Sequence, residues 1–368
     1  VTGSDAYTYS RKNGVWTRRV SSLTPPTDPP PPPDPDPGTN PRNLLVPGDY
    51  KPSASTTGVL PGVTLTPHNT GGGTLTFSTA DQTYRDLDIY GDINVTAPGI
   101  KFYNCRFRGG TSWPSSADCV VDCRSAGVLA RTTTANPWAG VPYFEDCTLA
   151  ATRPAYFREG FMGHCHIKRC DISNTTDGIG TYNTDTSASS KGARMIAEAN
   201  WIHDLVYWYP EPAHADGTHN DCIQIQSGGH IRVIGNYLVG RSHLGDDRAY
   251  ADPDGSTYAG GTLSADGTGK AGLFTQTNGD GVGHCLGAGI IVQRNSWNGA
   301  PMHALDTNVV VEKNWFANGT SGANLKDGVY VFRNNWVKRG GFYMFTSNPT
   351  SQYPIRPTSA TTGAKIVG

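Results

Sequence analysis

The stretch VEKNWFANGTSGANLKDGVYVFRNNW, residues 311–336, repeats itself about twenty residues on: VEKNWF (311–316) returns as VFRNNW (331–336). Each copy reads apolar, two further residues, Asn, one more residue, apolar. The same frame runs upstream through FYNCRF (102–107), FEDCTL (144–149), IKRCDI (167–172), AEANWI (197–202), VIGNYL (233–238) and VQRNSW (292–297). Weaker copies stand in YRDLDI (84–89) and VVDCRS (120–125). The fourth position is therefore Leu87, Cys105, Cys123, Cys147, Cys170, Asn200, Asn236, Asn295, Asn314 and Asn334. The shortest intervals are about 18 to 20 residues, enough for three short strands and their turns, and the longer ones carry insertions. A unit that small cannot bury its own inner face, but stacked units about 4.8 Å apart share one core. The expected fold is all-β, a right-handed parallel β-helix of about ten rungs over residues 44–368. Asn236, Asn295, Asn314 and Asn334 should then be vertical neighbours, because Asn tolerates the left-handed backbone and its amide bonds to the Asn one rung away. Cys105, Cys123, Cys147 and Cys170 should fill the same column as buried thiols rather than disulfides. Trp201 and Trp315, directly after the column, should point out, and Trp297 and Trp336 should point in.

Composition agrees with this architecture. Charged residues make up 17% of the 368, and the chain holds 45 Gly and 26 Pro, a turn-rich balance that suits short strands better than helices. The formal net charge of -1 gives no pull toward nucleic acid or an anionic membrane. No apolar run reaches the length of a membrane span, so membrane insertion is not expected. The opening residues, VTGSDAYTYSRKNGVW, show no signal-peptide pattern. None of the eight Cys forms a CxxC pair, which argues against a zinc ribbon, and no metal or other cofactor is expected.

The N-terminal region is organised differently. Residues 6–20, AYTYSRKNGVWTRRV, alternate around Asn13-Gly14, a hairpin signal that pairs Arg11 with Trp16, Tyr9 with Arg18 and Tyr7 with Val20. A hairpin this small cannot bury a core alone, so residues 1–23 should dock on something else. Residues 24–43 form a Pro-rich linker whose TPPTDPPPPPDPDPGTNP run (24–41) excludes helix and sheet interior. As polyproline II it reaches roughly 50 Å.

A second column follows the first. Asp177 in DGIG, Asp221 in DCIQ and Asp280 in DGVG share the pattern Asp, Gly or Cys, Ile or Val, and should stack on successive rungs. The insertions 183–194, 203–219 and 240–283 leave from the same region. Stacked carboxylates repel, so they need a cation, a shared proton or solvent. Three roles stay open: caps of tight turns, a glycan or catalytic site, or a metal site. Around them, Gln224 and Gln226 alternate with Ile223 and Ile225 and so face out. Tyr207 and Trp208 form an aromatic loop tip, and His219 stands two residues before Asp221. These five are the candidate glycan-binding residues.

Two resemblances attach to these residues. NTTDGI (174–179), NDCIQIQSG (220–228) and the His243 that follows resemble the polygalacturonase series within the pectate-lyase-like β-helix proteins. That resemblance implies water-activating roles for Asp177 and Asp221, with His243 in support. Asn220 stands where that family has the acid that protonates the leaving group, which implies little hydrolysis unless Asp280 substitutes. The hairpin around KNGVW (12–16), the Pro-rich spacer and the opening TTGVLPGVTLTPHN (56–69) resemble minor tail proteins of phages that infect actinobacteria. This second resemblance implies a virion component. Its partners would be other tail proteins through residues 1–41, host cell-wall polysaccharide or glycolipid, and copies of itself as a homotrimer. No heptads enforce such an assembly. A secreted or virion-borne polysaccharide hydrolase or lyase is the competing expectation.

Overall fold

Strands of two to six residues, each ended by a sharp corner, make up almost the whole body. The computed structural model describes residues 6–12, 15–21, 40–110, 118–153, 158–181, 193–206, 220–226, 230–239, 288–292, 296–297, 300–301, 308–317, 321–325, 330–337 and 341–344. Among these residues the chain is all-β apart from the short 3-10 turns Pro41–Leu44 and Val128–Ala130. Three parallel sheets of nine, nine and eight strands hold the body. The first sheet runs from Thr66–His68 to Trp336–Val337, the second from Leu75–Phe77 to Gly341–Met344, and the third from Thr83–Arg85 to Tyr330–Arg333. The chain visits them in rotation, first, second, third, so that each strand pairs with the one a full circuit away.

Alternation along each strand builds the core. In the first sheet Phe107, Leu149, Ile172, Ile202 and Leu238 are buried between half-buried neighbours, and Phe316 is buried after half-buried Trp315. In the third, Phe102 stacks on Phe144 with ring centroids 5.1 Å apart, in register across adjacent strands. Each such side chain contributes about 2 kcal/mol by leaving water.

The corner from third to first sheet is the tightest. From Asn104 onward it uses two residues: one in the left-handed region, then one buried side chain. Asn104, Asp146, Arg169, Ala199, Gly235, Lys313 and Asn334 take the first place, with φ between 50° and 67°. Cys105, Cys147, Cys170, Asn200, Asn236, Asn314 and Asn335 take the second. Asn200 donates from its backbone N–H (2.9 Å) and Nδ2 (2.8 Å) to Asn236 Oδ1. Asn236 does the same to Asn314 Oδ1, and Asn314 to Asn335 Oδ1. Each Nδ2 donates again to a backbone carbonyl on the preceding third-sheet strand: Ile167 for Asn200, Ala197 for Asn236, Val233 for Asn314 and Val311 for Asn335. The thiols imitate this weakly. The Cys105 N–H donates to Cys147 Sγ at 3.4 Å, and Cys147 and Cys170 lie 3.7 Å from the carbonyls of Phe102 and Phe144. The Cys170 N–H donates to Asn200 Oδ1 at 2.8 Å, joining the two halves.

The column thus exists, with three corrections to its membership. Asn335, not Asn334, is the ladder residue; Asn334 is the left-handed residue before it. The register Glu312 with Arg333 and Trp315 with Trp336 requires this shift by one, and gives Trp336 the outward register of Trp315. Asn295 lies outside the described residues, but Asn236 bonds directly to Asn314, and the strands that precede them pair directly in the third sheet. Its motif follows Ala288–Val292, a strand of the second sheet, and Trp297 belongs to a separate small hairpin, Ser296–Trp297 with Ala300–Pro301. Cys123 also ends a second-sheet strand, where it pairs with Gly163. It and Cys105, Cys119, Cys147, Cys165, Cys170 and Cys222 are free buried thiols.

Residues 40–65 form a strap along this tight corner. Arg42 is buried and donates to the carbonyls of Gly58 (2.6 Å) and Ser55 (3.1 Å) and to Asp146. Arg169 grips the same Asp146 as well as Glu145 and Asn43. Further along, Gly48 presses on Lys313 and Gly235, where a Cβ on Gly235 would strike the strap backbone. Lys51 sits 4.6 Å above the Tyr237 ring, and the Leu60 N–H donates to Asn104. The body therefore begins by Asn40, inside the expected linker. The separate hairpin Ala6–Lys12 with Val15–Ser21 pairs Arg11 with Trp16, Tyr9 with Arg18 and Tyr7 with Val20, as its sequence requires.

The register makes a sharp prediction. Asn335→Ala orphans the Asn314 donors and should cost about 3 kcal/mol. Asn334→Gly, at a left-handed position, should change stability by less than about 0.5 kcal/mol. Thermal unfolding of the two variants distinguishes them, and equal effects would return the ladder to Asn334.

Candidate functional site

Acid-Gly-apolar and acid-Cys-apolar triplets open successive strands of the second sheet. Phe161 pairs with Ile179 and Ile179 with Ile223, so Glu159, Asp177 and Asp221 fall at one register, two residues earlier on three neighbouring strands. The Asp221 N–H donates to Asp177 Oδ1 at 2.7 Å. Gly160 and Gly178 are required here, because a Cβ on either would meet a backbone carbonyl of the next strand. Asp177 and Asp221 are therefore stacked as expected. Glu159 was missed, although Glu159-Gly160-Phe161 repeats Asp177-Gly178-Ile179 with one carboxylate exchanged for another. Asp280 lies outside the described residues. Counting back from the pair Ile223 with Ile290 brings Ala288, not Asp280, to the register of Asp221.

The three carboxyls are buried rather than ranged along an open groove. Residues 203–206 fold back across the corner: the Val206 N–H donates to the Thr175 carbonyl at 2.9 Å, and Leu205 and Val206 are buried. Burial, then the charges of Glu159 and Asp221, hold the Asp177 carboxyl well above the usual carboxylate range. Asp177 also shares a side-chain hydrogen bond with Glu159.

Asn220 has a different role from the one its neighbours suggested. It is wholly buried, and Nδ2 donates to the carbonyls of Thr176 and Val206, both at 2.7 Å. A carboxylate there would face two carbonyl oxygens, so the amide belongs to the frame of this corner and is not a displaced acid. Gln226 is buried as well, its N–H bonded to Thr181 Oγ1, and does not project from the sheet; Gln224 is half-buried. Tyr207, Trp208, His219 and His243 lie outside the described residues.

Insertions concentrate beside the acids. The two longest, 203–222 and 240–287, both join the first sheet to the second at the corner where Asp177 and Asp221 sit. The insertion around 183–194 leaves instead between the second and third sheets. On the outward face of the first sheet Trp201, Tyr237 and Trp315 follow one another in register, half-buried, beyond Asp171. His203 stacks on Trp201 (3.6 Å) between Asp171 (2.9 Å) and Asp204 (3.0 Å). Burial alone would lower its pKa, but the bonds to Asp171 and Asp204 outweigh that and raise it to about 9. Among the described residues no group of three His, Cys, Asp or Glu is placed to hold a metal, and no helix is long and apolar enough to cross a membrane. No protein-family model, curated protein or solved structure matches this chain.

Two outcomes follow for the acid corner. Asn220→Asp should lose about 3 kcal/mol, because it trades two buried donors for a carboxylate against carbonyls. Asp177→Asn should gain about 1 kcal/mol near neutral pH, because an amide brings no charge to be desolvated or neutralised beside Glu159 and Asp221 and still offers an acceptor to the Asp221 N–H. Opposite signs in thermal melts distinguish frame from site; a loss in both would make Asp177 a structural cap.

For His203 the folded pKa lies above the unfolded value near 6.5. Its contribution is fully present below that value and disappears as pH rises through about 9. The difference in stability between the wild type and His203→Gln should shrink by about 2 kcal/mol from pH 6 to pH 10. A difference independent of pH would remove the charge from this account.

Proposed function

We propose that the three sheets are the walls of a right-handed parallel β-helix of about ten rungs, and that the chain is a phage tail protein, extracellular on the virion, which binds a host surface glycan. The hairpin and Pro-rich arm, residues 1–39, serve as its tether to other tail proteins. What carries the glycan reading is the clustering of the two longest insertions at one corner of a rigid scaffold, over three stacked carboxyls. Binding sites favour loops held in this way. Tyr207, Trp208 and His219 belong to the first of these insertions and are the residues chosen to meet the sugar, with Gln224 on the strand that follows it. The host is an actinobacterium and the ligand a polysaccharide or glycolipid of its envelope.

A second reading is favoured by one observation. Burial and the charges of Glu159 and Asp221 hold the Asp177 carboxyl well above the usual carboxylate range, the direction that the acid of glycoside hydrolysis requires. A virion-borne depolymerase would use Asp177 as general acid and Asp221 as base.

Cell binding and catalysis separate the two. The purified full chain should sediment with host cells and with their isolated envelope polysaccharide, and it should release no reducing ends above background. Trp208→Ala should weaken cell binding about tenfold. Reducing-end release that vanishes in both Asp177→Asn and Asp221→Asn would establish the depolymerase. Failure to bind any host envelope fraction would overturn the glycan reading.

A further inference from the structure

We draw no further inference here: the strongest candidate, the outward aromatic column Trp201, Tyr237 and Trp315 on the first sheet, has its Trp201 ring covered by His203 and its Tyr237 ring by Lys51, and nothing in the structure shows what would cover the rest of that face.

Discussion

A two-residue corner that must bury a backbone N–H sets the terms for the rest of this molecule. Turning from the third sheet into the first without a loop leaves donors inside the core, and each unpaired one costs about 1–3 kcal/mol. The side chain of the next corner supplies the acceptor. Asn does this best, because Oδ1 takes two donors from the corner before while Nδ2 feeds a carbonyl on the preceding third-sheet strand. Cys does it less well, with longer contacts, in the rungs where Phe102, Phe107 and Phe144 fill the core. Among the described residues the ladder couples neighbouring corners from Cys105 to Asn335 at the same point, so this corner tolerates no insertion.

Variation is therefore pushed to the other two corners, and most of it to the one that carries Glu159, Asp177 and Asp221. That corner runs against stability. Three carboxyls share it, and burial with the charges of Glu159 and Asp221 raises the Asp177 carboxyl well above the usual carboxylate range. The same corner has its own frame, with Asn220 bonded to the carbonyls of Thr176 and Val206 as tightly as any ladder residue. A costly cluster on a well-made frame is the arrangement expected where a protein gives up stability for a site.

The strap uses the ladder corner in another way. Because the left-handed residues there project Asp146, Arg169 and Lys313 outward, they offer charged seats along the axis, and Arg42, Asn43 and Asp49 occupy them. The strap, residues 40–65, thus meets the side of the body at several corners at once and not at one end of it.

The sequence by itself determined the all-β class, the hairpin register from Arg11 with Trp16 to Tyr7 with Val20, and the corner column of Cys and Asn. It also placed Asp177 next to Asp221. All of these follow from short-range alternation and spacing, which a chain displays locally. Only the tertiary structure decided which sheet each motif enters. Val120 to Cys123 and the segment before Asn295 alternate like third-sheet strands, yet pair in the second sheet, because core-facing alternation is the same on every wall. Adjacent Asn334 and Asn335 suit the left-handed and the ladder place equally well, and pairing with Glu312 and Trp315 made the choice. Glu159 joined the acids, and Asn220 left them for the frame, for the same reason: insertions of variable length separate the rungs, so a vertical neighbour is fixed by strand register and not by distance along the chain.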